Sequence, residues 1–233
     1  YTYPFQEEPA LKGVSFELRR GEAMLVTGPS GCGKSTLMRI LMGKEPYDAG
    51  SFGMRQGAKL SYVEQIPTLS NDVDLYHFTL EAFRPLLDLE AEESRILKRL
   101  EDPNENRDRL IARQAVVLEA LERGGVSTLR ALTRSALLGL GFSEEDLSRS
   151  VTTFSGGQIS KAMLARAILE EADLLLLDEP TRNFSPLSGP VIRKMLRAFP
   201  GAILSVSHDR RFIEEVCGKC LELREDGLFP VDP

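Results

Sequence analysis

The sequence predicts an α/β fold: a mostly parallel sheet clad in helices, with an antiparallel β edge region and an inserted helical segment. Three observations predict it. Short apolar runs alternate with helical patterns near both ends of the chain, which is how parallel strands with helices on both faces are built. A glycine-rich loop joins one such run to a helix. Between the two α/β stretches, residues 79–150 change to helical periodicity with dense charge.

The elements follow in order. Val14 to Leu18 alternates like a strand, and Ala23 to Thr27 is a short, mostly apolar one. The glycines of Gly28 to Gly33 mark a loop. Thr36 to Met42 is apolar enough for a buried helix, and Lys59 to Val63 reads as another strand. From Asp88 to Arg123, ten acidic and seven basic residues occur among 36, nearly half, against 27% for the whole chain. Leu89, Glu93, Ile96, Leu97 and Leu100 keep helical spacing, as do Leu110, Ile111, Val117, Leu118 and Leu121. Asp102-Pro103-Asn104 separates the two runs and Gly124-Gly125 ends the second, so an antiparallel helical hairpin is expected over about 88–125. Thr128 to Leu140 reads as a third helix. Then Gln158 to Glu170 reads as a helix, Leu174 to Leu177 as a strand, Val191 to Phe199 as a helix, Ala202 to Val206 as a strand and Arg210 to Val216 as a helix. The expected division is an α/β core of residues 1–78 and 151–233 with a helical subdomain of residues 79–150.

Composition narrows the function. A chain of 233 residues and 25.9 kDa can bury its own core without a metal or disulfide staple. Its 42% hydrophobic content is that of a globular protein, and no apolar run approaches the roughly 18 residues of a spanning helix. A net charge of −6 argues against a protein held to nucleic acid by bulk charge. The three cysteines, Cys32, Cys217 and Cys220, cannot all pair within one chain, and no signal peptide is visible. A reducing, cytoplasmic setting is expected. The chain opens at Tyr1 rather than Met and reads as a piece of a longer one.

The chemistry is concentrated in two motifs. Gly28-Pro29-Ser30-Gly31-Cys32-Gly33-Lys34-Ser35 matches G-x-x-x-x-G-K-[ST] in full, between a predicted strand and the predicted helix that starts at Thr36. Glycines let backbone N–H groups converge on phosphate oxygens, and the helix N-terminus adds partial positive charge. Lys34 would reach the β- and γ-phosphates of a bound polyphosphate, and Ser35 would ligate Mg²⁺. The second motif is Leu174-Leu175-Leu176-Leu177-Asp178-Glu179-Pro180, a buried strand ending in two acids. At the carboxyl edge of a parallel sheet Asp178 would emerge beside the loop and suit a Mg²⁺ contact, while Glu179 could accept a proton from an attacking water. An acidic turn after a buried strand is common alone; paired with a phosphate loop it becomes chemistry. Phe154-Ser155-Gly156-Gly157-Gln158 is a turn before a helix, either a second anion site or a plain N-cap.

Taken with Val63-Glu64-Gln65 and Ser207-His208-Asp209, these motifs in this order resemble the ATP-binding cassette (ABC) ATPases over nearly the whole chain. The resemblance implies a P-loop NTPase, RecA-like core with a helical subdomain, and two ATP molecules held between head-to-tail cassettes. It implies that Tyr3 stacks on adenine, that Gln65 joins Mg²⁺ and the water to the helical subdomain, and that His208 touches the γ-phosphate. Ser155, Gly156, Gly157 and Gln158 would form the signature turn against the partner's ATP. The chain departs from the family at Ser185, where an aspartate facing the partner cassette is usual, and at Phe154, usually leucine. His77 is assigned to surface or packing. The charged hairpin, the stretch Leu138 to Leu147 and Ser207 to Phe212 resemble the soluble, ribosome-associated ABC-F proteins, which carry two cassettes in one chain. The expected partners are thus a second cassette and the ribosome. The alternatives are the nucleotide-binding subunit of a membrane transporter and an ATP-gated interaction module with little turnover. Arg95, Arg99, Arg107, Arg109 and Arg113 are the hairpin's candidate contacts to phosphate or acidic protein. Cys217-Gly218-Lys219-Cys220 reads as incidental thiols, since one C-x-x-C pair is a poor metal site.

Overall fold

A computed structural model of the chain describes residues 10–63, 73–180 and 188–232. It divides into two compact units, Tyr1–Ser70 with Phe154–Pro233, and Asn71–Thr153.

The first unit is built on a six-stranded sheet. Its strands are β1 (Ala23–Thr27), β2 (Leu60–Val63), β3 (Leu174–Asp178), β4 (Ala202–Val206), β5 (Lys219–Arg224) and β6 (Gly227–Val231). The spatial order is β2-β3-β4-β1-β5-β6. All neighbours run parallel except the β5–β6 hairpin, which supplies an antiparallel edge. The three central strands β3, β4 and β1 read as near-continuous apolar runs because both of their faces are covered. On one face Met24, Val26, Leu176, Leu204, Val206 and Leu223 pack on Leu37, Met38 and Leu41 of helix α1 (Lys34–Leu41). The alternate residues Leu25, Leu175, Leu177 and Ile203 point to the opposite face and are equally buried. Helix α6 (Gly156–Leu169) is joined to that opposite face, where the Ser61 hydroxyl of β2 donates to Glu170 Oε2 at 2.7 Å. Helices α7 (Gly189–Arg197) and α8 (Arg210–Val216) pack on each other and bury Ile192, Leu196 and Phe212.

Val14, Phe16 and Leu18 point inward and Ser15 and Glu17 outward, as an alternating strand would, yet this segment joins no ladder among the described residues. Alternation records which side chains are buried; pairing needs a neighbouring backbone as well.

The second unit is helical: α2 (Leu75–Leu80), α3 (Arg84–Leu100), α4 (Arg107–Arg123) and α5 (Val126–Gly139). Asp74 caps α2, accepting from His77 N–H at 2.8 Å, and its carboxylate also pairs with the exposed His77 ring. Pro85 in the first turn of α3 and Asn106 as the N-cap of α4 start the two long helices. They are antiparallel: Glu92 pairs with Arg113, and Arg99 with Glu105 nearer the turn. Their seam is Ile96, Leu110, Val117 and Leu121, flanked by Leu89 and Leu100. Leu97, Ile111 and Leu118, which spacing alone groups with the apolar face, lie one residue further round their helices and are about half exposed, at 46%, 52% and 47%. Arg99 and Arg113 are each held by two hydrogen bonds to a glutamate of the hairpin, and Arg95 and Arg107 donate to the Ala91 and Leu100 carbonyls, so four of the five candidate arginines already have internal partners, two of them carboxylates.

Candidate functional site

Strand β1 ends at Thr27 and the chain turns at once into the glycine-rich loop. Gly28 has φ 142, and a Cβ there would stand 2.5 Å from the Leu223 carbonyl oxygen, so no larger residue fits between the loop and β5. Gly31, at φ 83, faces open space at the loop's tip, where Pro29 and Ser30 are also exposed. The Cys32 N–H turns inward to Pro29 O at 3.4 Å, and the Leu37 N–H to Gly33 O at 2.8 Å begins the α1 ladder. Lys34 and Ser35 are therefore already helical, two residues ahead of the apolar run that marks the helix in the sequence. The Lys34 ammonium lies across the loop and donates to Gly28 O and Pro29 O, both at 2.8 Å, with Cys32 Sγ at 3.7 Å. Ser35 is exposed and Thr36 is buried beneath it.

The sheet brings the acids to the same edge. β4 lies between β1 and β3, and all three run parallel, so their carboxyl ends emerge together. Asp178 is the last residue of β3, in register with Val206. Glu179 follows with its N–H donating to Val206 O at 2.8 Å and with φ 49, a left-handed conformation costly for a residue with a Cβ. That turn carries its carboxylate towards the end of β4, where Glu179 Oε1 stands 3.5 Å from His208 Nε2. The Ser207-His208-Asp209 run has a local reason as well. Ser207 is buried and accepts from Asp209 N–H, while Asp209 caps α8 by accepting from Arg211 and Phe212 N–H. Only His208 projects, its side chain 66% exposed against 14% for Glu179.

Ser155 to Gln158 form a separate feature. Ser155 Oγ accepts from Gln158 N–H at 3.4 Å and Gln158 Oε1 accepts from Ser155 N–H at 3.0 Å, a reciprocal capping box that starts α6. Ser155 and Gly156 are exposed, and among the described residues beyond its own helix and chain neighbours nothing lies within 4 Å of where a Gly156 Cβ would sit. Tyr3, Gln65 and Ser185 lie outside the described residues.

One residue of the site carries no motif signal. Tyr62, next to the end of β2, directs its hydroxyl to Asp178 Oδ2 at 3.5 Å. Only the register of two strands more than a hundred residues apart reveals that contact.

The donors fit a nucleotide phosphate chain with its cation. The loop presents an open backbone at Gly31, a helix N-terminus and a lysine, which together suit phosphate oxygens. Among the described residues no three His, Cys, Asp or Glu side chains gather into a metal cage. Mg²⁺ is commonly held by one or two protein oxygens plus substrate phosphates, as Ser35 and Asp178 allow. No helix among the described residues is long and apolar enough to cross a membrane.

Comparison with known proteins agrees with this geometry. The structure is similar to the dimeric post-hydrolysis state of the ATP-binding cassette MJ0796 bound to ADP and Pi, with a TM-score of 0.63 at 18% identity, covering 99% of this chain and 95% of that one. By sequence the chain is 29% identical over 219 residues to the energy-dependent translational throttle protein EttA of Escherichia coli K12, covering 94% of this chain and 39% of that protein. It is 29% identical over 217 residues to ABC transporter F family member 5 of Arabidopsis thaliana, covering 91% and 31%. The chain thus spans about a third to two fifths of the curated relatives it matches. Residues 11–182 match the profile of the family described as ABC transporter, and with its phosphate loop and acidic strand end on one sheet edge, the chain belongs to that family.

Proposed function

We propose that the chain is one cassette of an ABC-F-like protein that binds Mg·ATP on the β1–α1 loop and hydrolyses it when a second cassette closes head-to-tail over the nucleotide. The observation that carries this reading is the convergence of the phosphate loop, Asp178, Glu179 and His208 on one sheet edge. Gly28 to Thr36 would cradle the phosphates. Lys34 would exchange its bonds to Gly28 O and Pro29 O for the more strongly accepting β- and γ-oxygens. Ser35 and Asp178 would hold Mg²⁺, whose charge would neutralise that building on the phosphate oxygens. Glu179 would orient a water and take its proton, and His208, adjoining it, would steady the γ-phosphate. The Ser155–Gly157 turn, exposed at Ser155 and Gly156 and braced by Gln158, would present N–H groups and the α6 N-terminus to ATP on the partner cassette.

A cassette that has a loop on one side and a signature turn on another cannot enclose one ATP alone. Calorimetry and light scattering test the reading together. Lys34→Ala should fold normally, because the ammonium contacts only loop atoms, and should lose ATP affinity. Wild type should dimerise with ATP, and Ser155→Arg should not. Unchanged ATP affinity in Lys34→Ala, or a tight dimer indifferent to nucleotide and to Ser155→Arg, would contradict it.

The ribosome is the proposed partner of the longer parent protein. A relative named as a translational throttle and the charged α3–α4 hairpin both favour it over a membrane subunit. Replacing Leu89–Gly124 by a short Gly/Ser linker should leave ATP binding intact and abolish the parent's sedimentation with ribosomes. Sedimentation with membranes instead would favour the transporter-subunit alternative.

A further inference from the structure

Tyr62 lies on β2 opposite Leu176 of β3, on the sheet face that α1 covers. Asp178 is two residues further along β3, so the pleat brings it to the same face. The tyrosine ring packs at the margin of the apolar cluster around Leu37, Met38 and Leu176. The Lys44 ammonium, just beyond the end of α1, stands 5.5 Å from the ring centroid, within cation–π range. A phenylalanine would fill this packing position equally well. The hydroxyl is the one part of the side chain that reaches a carboxylate, Asp178 Oδ2, at 3.5 Å.

We propose that Tyr62 is a positioning residue for Asp178: its hydroxyl restrains the carboxylate in the rotamer that meets the nucleotide-bound divalent cation, with Lys44 steadying the ring. The inference rests on the reading of Asp178 as a cation ligand. Carboxylates that ligate metals are themselves held by hydrogen bonds, and losing such a partner costs about 10–100-fold in metal affinity or activity. At 3.5 Å the bond is longer than the usual ~2.7 Å between oxygens, so the lower end of that range applies.

The test is binding of Mn²⁺ to the protein–ATP complex, followed by electron paramagnetic resonance, with ATP affinity in EDTA measured in parallel. Tyr62→Phe should weaken Mn²⁺ about 10-fold and leave metal-free ATP affinity within about twofold of wild type. Lys44→Met should weaken Mn²⁺ in the same direction by less. Asp178→Asn sets the scale. If Asp178→Asn weakens Mn²⁺ and Tyr62→Phe does not, the positioning role is overturned while the reading of Asp178 stands. If neither variant changes Mn²⁺ affinity, Asp178 is not the cation ligand and the inference falls with it.

Discussion

His208 Nε2 stands 3.5 Å from Glu179 Oε1, joining the ends of two adjacent parallel strands across the edge where the phosphate loop also emerges. The pair is asymmetric: the carboxylate is mostly buried and the imidazole mostly exposed. The amide isostere of Glu179 keeps the shape of its side chain while losing the capacity to take a proton from water. Glu179→Gln should therefore retain ATP affinity in calorimetry and lose about 10²–10⁴ in phosphate release. Equal turnover in wild type and Glu179→Gln would place the base elsewhere.

The backbone of Glu179 yields a second prediction, because Glu171 shares its φ of 49 in an ordinary setting. Glu171 follows the C-cap of α6, the position where glycine usually ends a helix, and it is exposed. Glu171→Gly should stabilise the protein by about 1 kcal/mol, read as a melting temperature higher by roughly 2–4 °C. Glu179→Gly should relieve the same strain and abolish turnover. Strain kept at a site and absent from its variant is the expected signature of a backbone shaped by function. A destabilised Glu171→Gly would show that this φ carries no cost.

What the sequence makes legible follows from the physics of each element. Leu174–Leu177 and Ala202–Val206 read as strands because burial on both faces leaves them continuously apolar. The phosphate loop reads from its glycines, since the close approach of Leu223 O to Gly28 and the left-handed φ of 83 at Gly31 both favour them. The start of α1 is not legible from apolarity, because Lys34 and Ser35 are polar residues in a helical first turn. The exposure of Leu97, Ile111 and Leu118 depends on which of two neighbouring stripes meets the partner helix. The contact of Tyr62 with Asp178 depends on strand register, which no local pattern encodes.

The α3–α4 hairpin separates apolar packing from surface charge. Leu110 is buried in the seam with Ile96 and Val117, and Leu110→Ala should cost about 2–5 kcal/mol in the stability of the helical unit, measured by denaturant titration. Glu92→Gln and Arg113→Gln should cost little by comparison, because the pair is exposed and screened by solvent. The Arg113 guanidinium holds the Glu92 carboxyl below its ordinary range, and Arg99 does the same for Glu105. A carboxyl depressed in the folded state stabilises it above the unfolded value of 4.5, and that contribution is lost as pH falls through the folded value. Acid should thus remove a minor contribution while the seam holds. An acid transition as large as that of Leu110→Ala would mean that the ion pairs, not the seam, hold the hairpin.

The thiols test the packing on the other side of the sheet from its phosphate edge. Cys217 closes α8 and Cys220 follows in β5; both are buried, whereas Cys32 in the loop is only half-buried. Burial pushes the Cys217 thiol up to about 12, the proximity of Cys220 adding to the effect, and burial raises Cys220 too. Since the thiolate is the reacting form, Cys217 at pH 8 should be ionised in only about one molecule in 10⁴. The native protein should therefore titrate one thiol with a chromogenic disulfide, Cys32, and all three after denaturation. The same burial sets a sign at high pH. Unfolded Cys217 loses its proton near 9.0 while the folded thiol keeps it to about 12, so folding stability should decline as pH rises through that window. Cys217→Ala should flatten that decline. Rapid reaction of two or three thiols in the native protein, or an alkaline decline unchanged in Cys217→Ala, would show that water reaches the α8–β5 junction.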